Sequence, residues 1–172
     1  MSALPSPGPR RLDTFTPHGY DKGRSLPWQA AWFAASHLLF QSWWLPARLR
    51  PVILRAFGAR VGDGVNIRNG VRIHWPWKLA VGDHAWIGEG AWLLNLEPVE
   101  IGAHACVSQE AVLCTGSHDR RSPSFDFDNA PIRVGEGAWV AIRAIVLRGT
   151  TVPPGSTVPA GRVAASEADC VR

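Results

Sequence analysis

The sequence predicts an all-β fold, a parallel β-helix of triangular section with a helical cap at its N-terminal end. Three observations carry the prediction. An aliphatic residue opens each of fourteen hexapeptides, at Val61, Ile67, Ile73, Val81, Ile87, Leu93, Ile101, Val107, Leu113, Val134, Val140, Val146, Val152 and Val158. The fifth position of the unit is small or β-branched in most of them, as at Val65, Val71, Ala85, Ala91, Ala105, Ala111, Ala138, Ala144 and Thr150. Finally, Val61, Val81 and Ile101 stand 20 residues apart, so three hexapeptides and two extra residues make one larger unit. A period of six fits neither a helix nor a long alternating strand, but it suits a short strand and a turn repeated three times per coil. The first position points inward as the wall of the prism. The fifth must be small because three corners share a narrow interior. Glycine fills the second position at Gly62, Gly82, Gly88, Gly102 and Gly135, where a Cβ would collide with neighbouring backbone. No coil buries its own face, so stability comes from stacking and the end coils need caps.

The elements follow in order. Residues 1–27 are rich in Pro, Gly and Ser and read as an extended arm. Arg10-Arg11 faintly resembles a twin-arginine export signal. The apolar stretch that should follow lies beyond Asp13, Asp21, Lys22 and Arg24, which argues against export. Residues 28–58 form a helical segment. Positions 28–45 carry no charge, Pro27 suits a first helical turn and Pro46 a stop, and a second short helix is expected over 52–57 before Gly58. The stretch approaches the length of a membrane span, but Gln29, Ser36, His37, Gln41 and Ser42 dilute it. It is expected to cap the open lower end of the prism. The alternative is a Trp-rich interfacial helix making peripheral membrane contact through residues 28–45.

The β-helix itself runs over 59–163. Its fourth coil is due near position 121 but the pattern resumes only at Val134, so 119–131 is a loop extruded from one corner. A long loop in a strict repeat generally carries function, a tolerated surface insertion being the plainer alternative. Residues 164–172 read as a tail. At 172 residues and a net charge of +4, with acidic residues still plentiful, the chain is one elongated domain with no case for nucleic-acid binding. Cys106, Cys114 and Cys170 lack framework spacing and read as reduced thiols of the cytoplasm.

The residue best placed for chemistry is His118, which ends the third coil in LCTGSHD, immediately before the extruded loop. Residues 20 apart stack on one another, which brings Asn95, Glu97 and His118 to one corner. A neutral imidazole near a carboxylate or amide is a common arrangement for a general base with its orienting partner, and Asp119, Glu97 and Asn95 all qualify for the second role. A purely structural histidine is the alternative. His84 and His104 hold equivalent places in consecutive coils and should pair on the surface. Gly64 stands one coil earlier and no third ligand has the required spacing, so no metal is expected. His18, His37 and His74 have no evident partner.

Four stretches, FGARVG at 57–62, HWPWKLAVGD at 74–83, CTGSHD at 114–119 and PIRVGEGAWV at 131–140, resemble the left-handed β-helix O-acetyltransferases built from hexapeptide repeats. Among these the chain most resembles the colanic acid biosynthesis acetyltransferases, relatives of the maltose and galactoside O-acetyltransferases, over roughly 28–158. The resemblance implies a left-handed coil, against the usual hand of parallel crossovers, and a homotrimer with active sites between adjacent prisms. It also implies transfer of acetyl from acetyl-CoA to a sugar hydroxyl of a surface polysaccharide or its precursor, free or lipid-linked. His118 would be the general base, with no acyl-enzyme. On the same basis Trp139 is expected to line the acceptor pocket or pack the loop, and Phe125 is a second substrate contact. Ala141, Arg143, Gly149 and Thr157 would flank the pantetheine arm, with a nearby Arg on the CoA phosphates and backbone N–H groups on the oxyanion. The chain departs from the family at its end. VAASEAD at 163–169 replaces a VVTKD-like strand and GNPA-like ending, Ser166 stands near the place of the lysine, and Arg148 replaces a favoured proline. These departures bear on the nucleotide end of the site and keep open a second reading, a catalytically weak or inactive trimer that serves as a binding scaffold. A metal-dependent hydratase like the γ-class carbonic anhydrases lacks its ligand spacing.

Overall fold

A computed structural model describes residues 12–15 and 19–171; Arg10, Arg11 and His18 lie outside the described residues. The hexapeptides fold as fifteen short strands in five coils. The first coil holds β1 (Arg60–Val61), β2 (Asn66–Ile67) and β3 (Arg72–Ile73), and the second β4 (Leu79–Val81), β5 (Trp86–Ile87) and β6 (Trp92–Leu94). The third holds β7 (Val99–Ile101), β8 (Cys106–Val107) and β9 (Val112–Cys114), and the fourth β10 (Ile132–Val134), β11 (Trp139–Val140) and β12 (Ile145–Leu147). The fifth holds β13 (Thr151–Val152), β14 (Thr157–Val158) and β15 (Val163–Ala164). Equivalent strands pair in parallel into three five-stranded sheets, β1-β4-β7-β10-β13, β2-β5-β8-β11-β14 and β3-β6-β9-β12-β15, which are the first, second and third walls of the prism. The register is that of the repeat: Val61 lies on Val81, Val81 on Ile101, Ile101 on Val134 and Val134 on Val152.

The core is the column of first positions. On the second wall Ile67, Ile87, Val107, Val140 and Val158 have no exposed surface, and Ala85, Ala91, Ala105, Ala111, Ala138 and Ala144 close the corners with no more than 1%. The second-position glycines lie where coils touch. A Cβ on Gly102 would sit 2.6 Å from the Glu136 nitrogen and 2.8 Å from the Gly135 carbonyl carbon, both backbone of the next coil. The fourth position turns through positive φ, at Gly64 (64°) and also at His84 and His104 (56° each). That turn places the two imidazoles on one ridge, stacked at 5.2 Å. The third wall ends on a fifteenth inward position, Ala164, which is fully buried.

The corner between the third and first walls varies. Coils one and two carry two extra residues there and coil three carries the extruded loop. Coil four carries nothing, because Val134 pairs with Val152 only 18 positions on. This corner therefore recedes directly above the loop.

The lower end is closed by α1 (Leu26–Ala35), which has Pro27 in its first turn and continues as one π-helical turn, Ser36–Phe40, and by α2 (Leu49–Ala56). The first helix ends before Pro46 because Gln41 is drawn onto the first coil, its carbonyl accepting the Gly70 N–H at 2.9 Å. Trp32, Phe40 and Leu54 are fully buried against the prism, and Trp32 Nε1 donates to the Ile73 carbonyl at 3.1 Å. Arg50 is 2% exposed and gives its donors to the carbonyls of Phe40 and Ser42, at 2.9 and 2.6 Å, which satisfies a buried cation without a carboxylate. At the upper end the segment after Ala164 packs on the last coil. A 3₁₀ turn, Glu167–Asp169, is closed by a capping box, and Val171 bridges antiparallel to Thr157. No helix among the described residues is long and apolar enough to cross a membrane.

Candidate active site

Where β9 ends, the chain leaves the prism and folds back on itself. His118 bridges antiparallel to Phe127, Asp119 N–H donates to the Asp126 carbonyl at 2.8 Å, and Asp128 N–H to the Ser117 carbonyl at 2.9 Å. The tip is fixed by the Ser122 and Ser124 hydroxyls, which donate to the Asp126 carboxylate at 2.6 and 3.0 Å and hold its pKa below the usual carboxylate value. Phe125 adopts a φ of 57°. Its carbonyl oxygen lies 2.6 Å from His118 Nδ1. A carbonyl can only accept, so in the neutral ring the proton resides on Nδ1 and the lone pair on Nε2.

Aromatic rings fix the imidazole from several sides. The Phe125 ring stacks on it at 4.0 Å and 7°, Phe127 at 4.9 Å and 27°, and Phe15 of the N-terminal arm meets it edge-on at 5.5 Å. The arm is tied to the same corner. Tyr20 packs on Phe127 at 5.3 Å, the Lys78 ammonium donates to the carbonyls of Asp21 and Leu96, and Trp77 Nε1 donates to the Lys22 carbonyl at 2.7 Å. Beside the ring opens a cleft of about 770 Å³, lined by His118, Asp119, Arg120, Arg121, Asp128 and Arg148 among others. Arg148, on the shortened corner of coil four, pairs with Asp128 and so anchors the loop to the prism. Arg120 and Arg121 form no ion pair among the described residues.

Of the three partners expected for the imidazole, none holds it. Asn95 is fully buried; its oxygen accepts the N–H groups of His74 and Trp75 at 3.0 Å, and its nitrogen donates to the Trp75 carbonyl at 2.6 Å. The amide satisfies peptide groups of the coil below, and the expectation that it serves His118 is corrected. Glu97 is bound through its N–H to the Thr115 hydroxyl and does not line the cleft. Asp119 does line it, but its carboxylate accepts the Arg121 N–H at 2.8 Å and closes a loop turn. The missed partner is the Phe125 carbonyl, a group every residue carries and no motif marks.

Trp139 is half-exposed on the second wall, its Nε1 donating to the Ser108 hydroxyl at 2.7 Å. It lines a separate groove of about 690 Å³ with Trp86, Asn66 and Arg68, away from the His118 corner. Of the four expected coenzyme contacts, Ala141 is buried, Arg143 pairs with Glu110 at 2.6 Å, Gly149 N–H donates to the Pro131 carbonyl, and Thr157 bridges to Val171. Among the described residues no group of His, Cys, Asp and Glu could hold a metal ion.

The fold recurs in solved structures. It is similar to a hexapeptide-repeat acetyltransferase of Vibrio cholerae in complex with acetyl coenzyme A (TM-score 0.75, 20% identity, 90% of this chain and 87% of that one). It is also similar to a galactoside acetyltransferase in complex with coenzyme A (TM-score 0.72, 16% identity, 87% of this chain and 82% of that one). A maltose O-acetyltransferase of Clostridium difficile is comparably close (TM-score 0.72, 19% identity, 82% of this chain and 77% of that one). The stacked prism has the fold of the hexapeptide-repeat acetyltransferases. No protein-family model matches the chain. In sequence, however, it is 41% identical over 147 residues to the colanic acid biosynthesis acetyltransferase WcaF of Escherichia coli K12, a match covering 84% of this chain and 79% of WcaF. The chain belongs to that family of acetyltransferases.

Proposed function

We propose that the protein transfers an acetyl group from acetyl-CoA to a hydroxyl of a saccharide, with His118 as general base. The observation that carries this reading is the bond from His118 Nδ1 to the Phe125 carbonyl, which leaves Nε2 able to take a proton at the edge of an open cleft. Nε2 removes the hydroxyl proton as the acceptor oxygen attacks the thioester carbonyl carbon. The C–S bond then breaks and the imidazolium returns the proton to the CoA thiolate, so no acyl-enzyme forms. Acetyl-CoA as donor is supported by family membership and by the coenzyme in the Vibrio and galactoside enzymes. A saccharide acceptor is supported by the names of WcaF and of the maltose and galactoside enzymes, and a sugar of a surface polysaccharide or of its precursor, modified in the cytoplasm, completes the proposal. With Arg143 paired to Glu110, Arg120 and Arg121 are the better placed cations for CoA phosphates. A homotrimer would set the Trp139 groove of one subunit against the His118 cleft of the next and so complete the site.

The test is release of free CoA thiol from acetyl-CoA in the presence of candidate saccharides. Turnover is expected for the native chain, with kcat about 10²–10⁴-fold lower in His118→Ala. Undiminished turnover in that variant removes the imidazole from the mechanism.

A further inference from the structure

The N-terminal cap carries a surface that acetyl transfer does not explain. The first helix and its π turn carry no Asp, Glu, Lys or Arg on any side, and their polar residues are few, Gln29, Ser36 and His37. A helix of that kind normally lies in a protein interior or against lipid. Here Trp32, Ser36 and Phe40 face the prism and are buried, while the opposite side is open. Leu38 is 70% exposed, Leu39 is 42%, and Trp43 and Trp44, in the turn that follows, are 84% and 53%. Single exposed apolar residues are ordinary, but four large ones within seven positions make a patch that marks a contact.

The charges that flank the patch in sequence are mostly basic. Residues 26–47 contain no Asp, Glu, Lys or Arg. Lys22, Arg24, Arg48 and Arg60 are basic and exposed, Arg50 is buried and Arg55 is paired with Asp63, and the acidic residues nearest in sequence are Asp21 and Asp63. Exposed indoles and leucines in a cationic frame complement a layer of anionic headgroups over acyl chains. The ten residues of α1 are too few to cross a bilayer, so the helix would lie in the plane of the interface.

We infer that the N-terminal cap docks on an anionic lipid bilayer, with Leu38, Trp43 and Trp44 at headgroup depth and Lys22, Arg24 and Arg48 on the phosphates. This inference stands apart from acetyl transfer and holds or fails without it. A second copy of this chain is the competing occupant. Two such patches brought together would set cation against cation around a common rim, whereas an anionic membrane supplies the opposite charge.

The experiment is co-sedimentation of the full chain with phosphatidylcholine–phosphatidylglycerol vesicles and with pure phosphatidylcholine vesicles. Binding to the mixed vesicles is expected to be at least about tenfold tighter and to fall with added salt. Trp43→Ser combined with Trp44→Ser should weaken it at least about tenfold, with melting temperature and molecular mass in solution unchanged. Arg24→Gln and Arg48→Gln should each cost roughly fivefold. Failure of the native chain to bind mixed vesicles, or full binding by the double Trp variant, would overturn the inference. So would a fall in solution mass in that variant, which would assign the face to contact between copies.

Discussion

The seat of the cap on the first coil can be tested through His74. Its ring lies between Phe33 of α1, at 6.0 Å, and Trp75, at 4.3 Å. Burial, reinforced by the charges of Lys22 and Lys78, lowers its pKa from 6.5 to about 4. The folded protein therefore keeps the ring neutral down to about pH 4, whereas the unfolded chain takes up the proton once the pH drops below 6.5. The contribution to stability is whole above the unfolded value and is lost as the pH falls from there toward the folded one. At pH 5 the full shift corresponds to a loss of about 2 kcal/mol relative to pH 7, and screening by water at this half-buried ring reduces it to about 1 kcal/mol. His74→Phe keeps an aromatic ring in the site and cannot titrate. In thermal unfolding at pH 7 and pH 5, the native chain should lose about 2–4 °C more than the variant, since a chain of this size moves by that much per kcal/mol. Equal losses in the two proteins would show that the ring is not held neutral under the cap, and the packing described for Phe33 and Trp75 would be wrong.

Two further substitutions test the stack and the loop. Gly102→Ala drives a Cβ into the backbone of the next coil at Gly135 and Glu136 and should destabilise by about 1–3 kcal/mol in denaturant titration; a neutral change would mean that the coils are not in contact there. Arg148→Leu removes the ion pair to Asp128 and should raise the rate of tryptic cleavage at Arg120 and Arg121 several-fold, while global stability changes by no more than about 1 kcal/mol because the pair is partly exposed. An unchanged cleavage rate would show that the loop is held by other contacts.

The walls were legible because all but one of their inward residues carry their own mark. The aliphatic first positions and the alanines at the fifth stated the period, and the 20-residue spacing stated which strands pair. Ala164 escaped because it does a wall residue's work with a corner residue's side chain, the prism needing little volume where the last coil closes. The corner that holds His118 could also be placed by counting, but counting fixes height along the prism and not the direction of a side chain. Asn95 stands at the right height and turns inward to the peptides of His74 and Trp75. The group that orients the imidazole is a carbonyl aimed by the positive φ of Phe125, and nothing in SPSFDF announces it. The cap shows the same limit. Its lack of charge was plain, but which of its aromatics face the prism depends on where Arg50 and Gln41 tie it down.

The uneven bend between the third and first walls has a wider consequence. Because register is kept by the walls, that bend can gain or lose residues without disturbing the stack, and each length is as compatible with the fold as the next. Here the bend is long at the histidine and short above it, and the difference leaves room for the cleft between them. Inserting a residue pair at one hinge of the scaffold would therefore resize that cleft while the walls beside it keep their register.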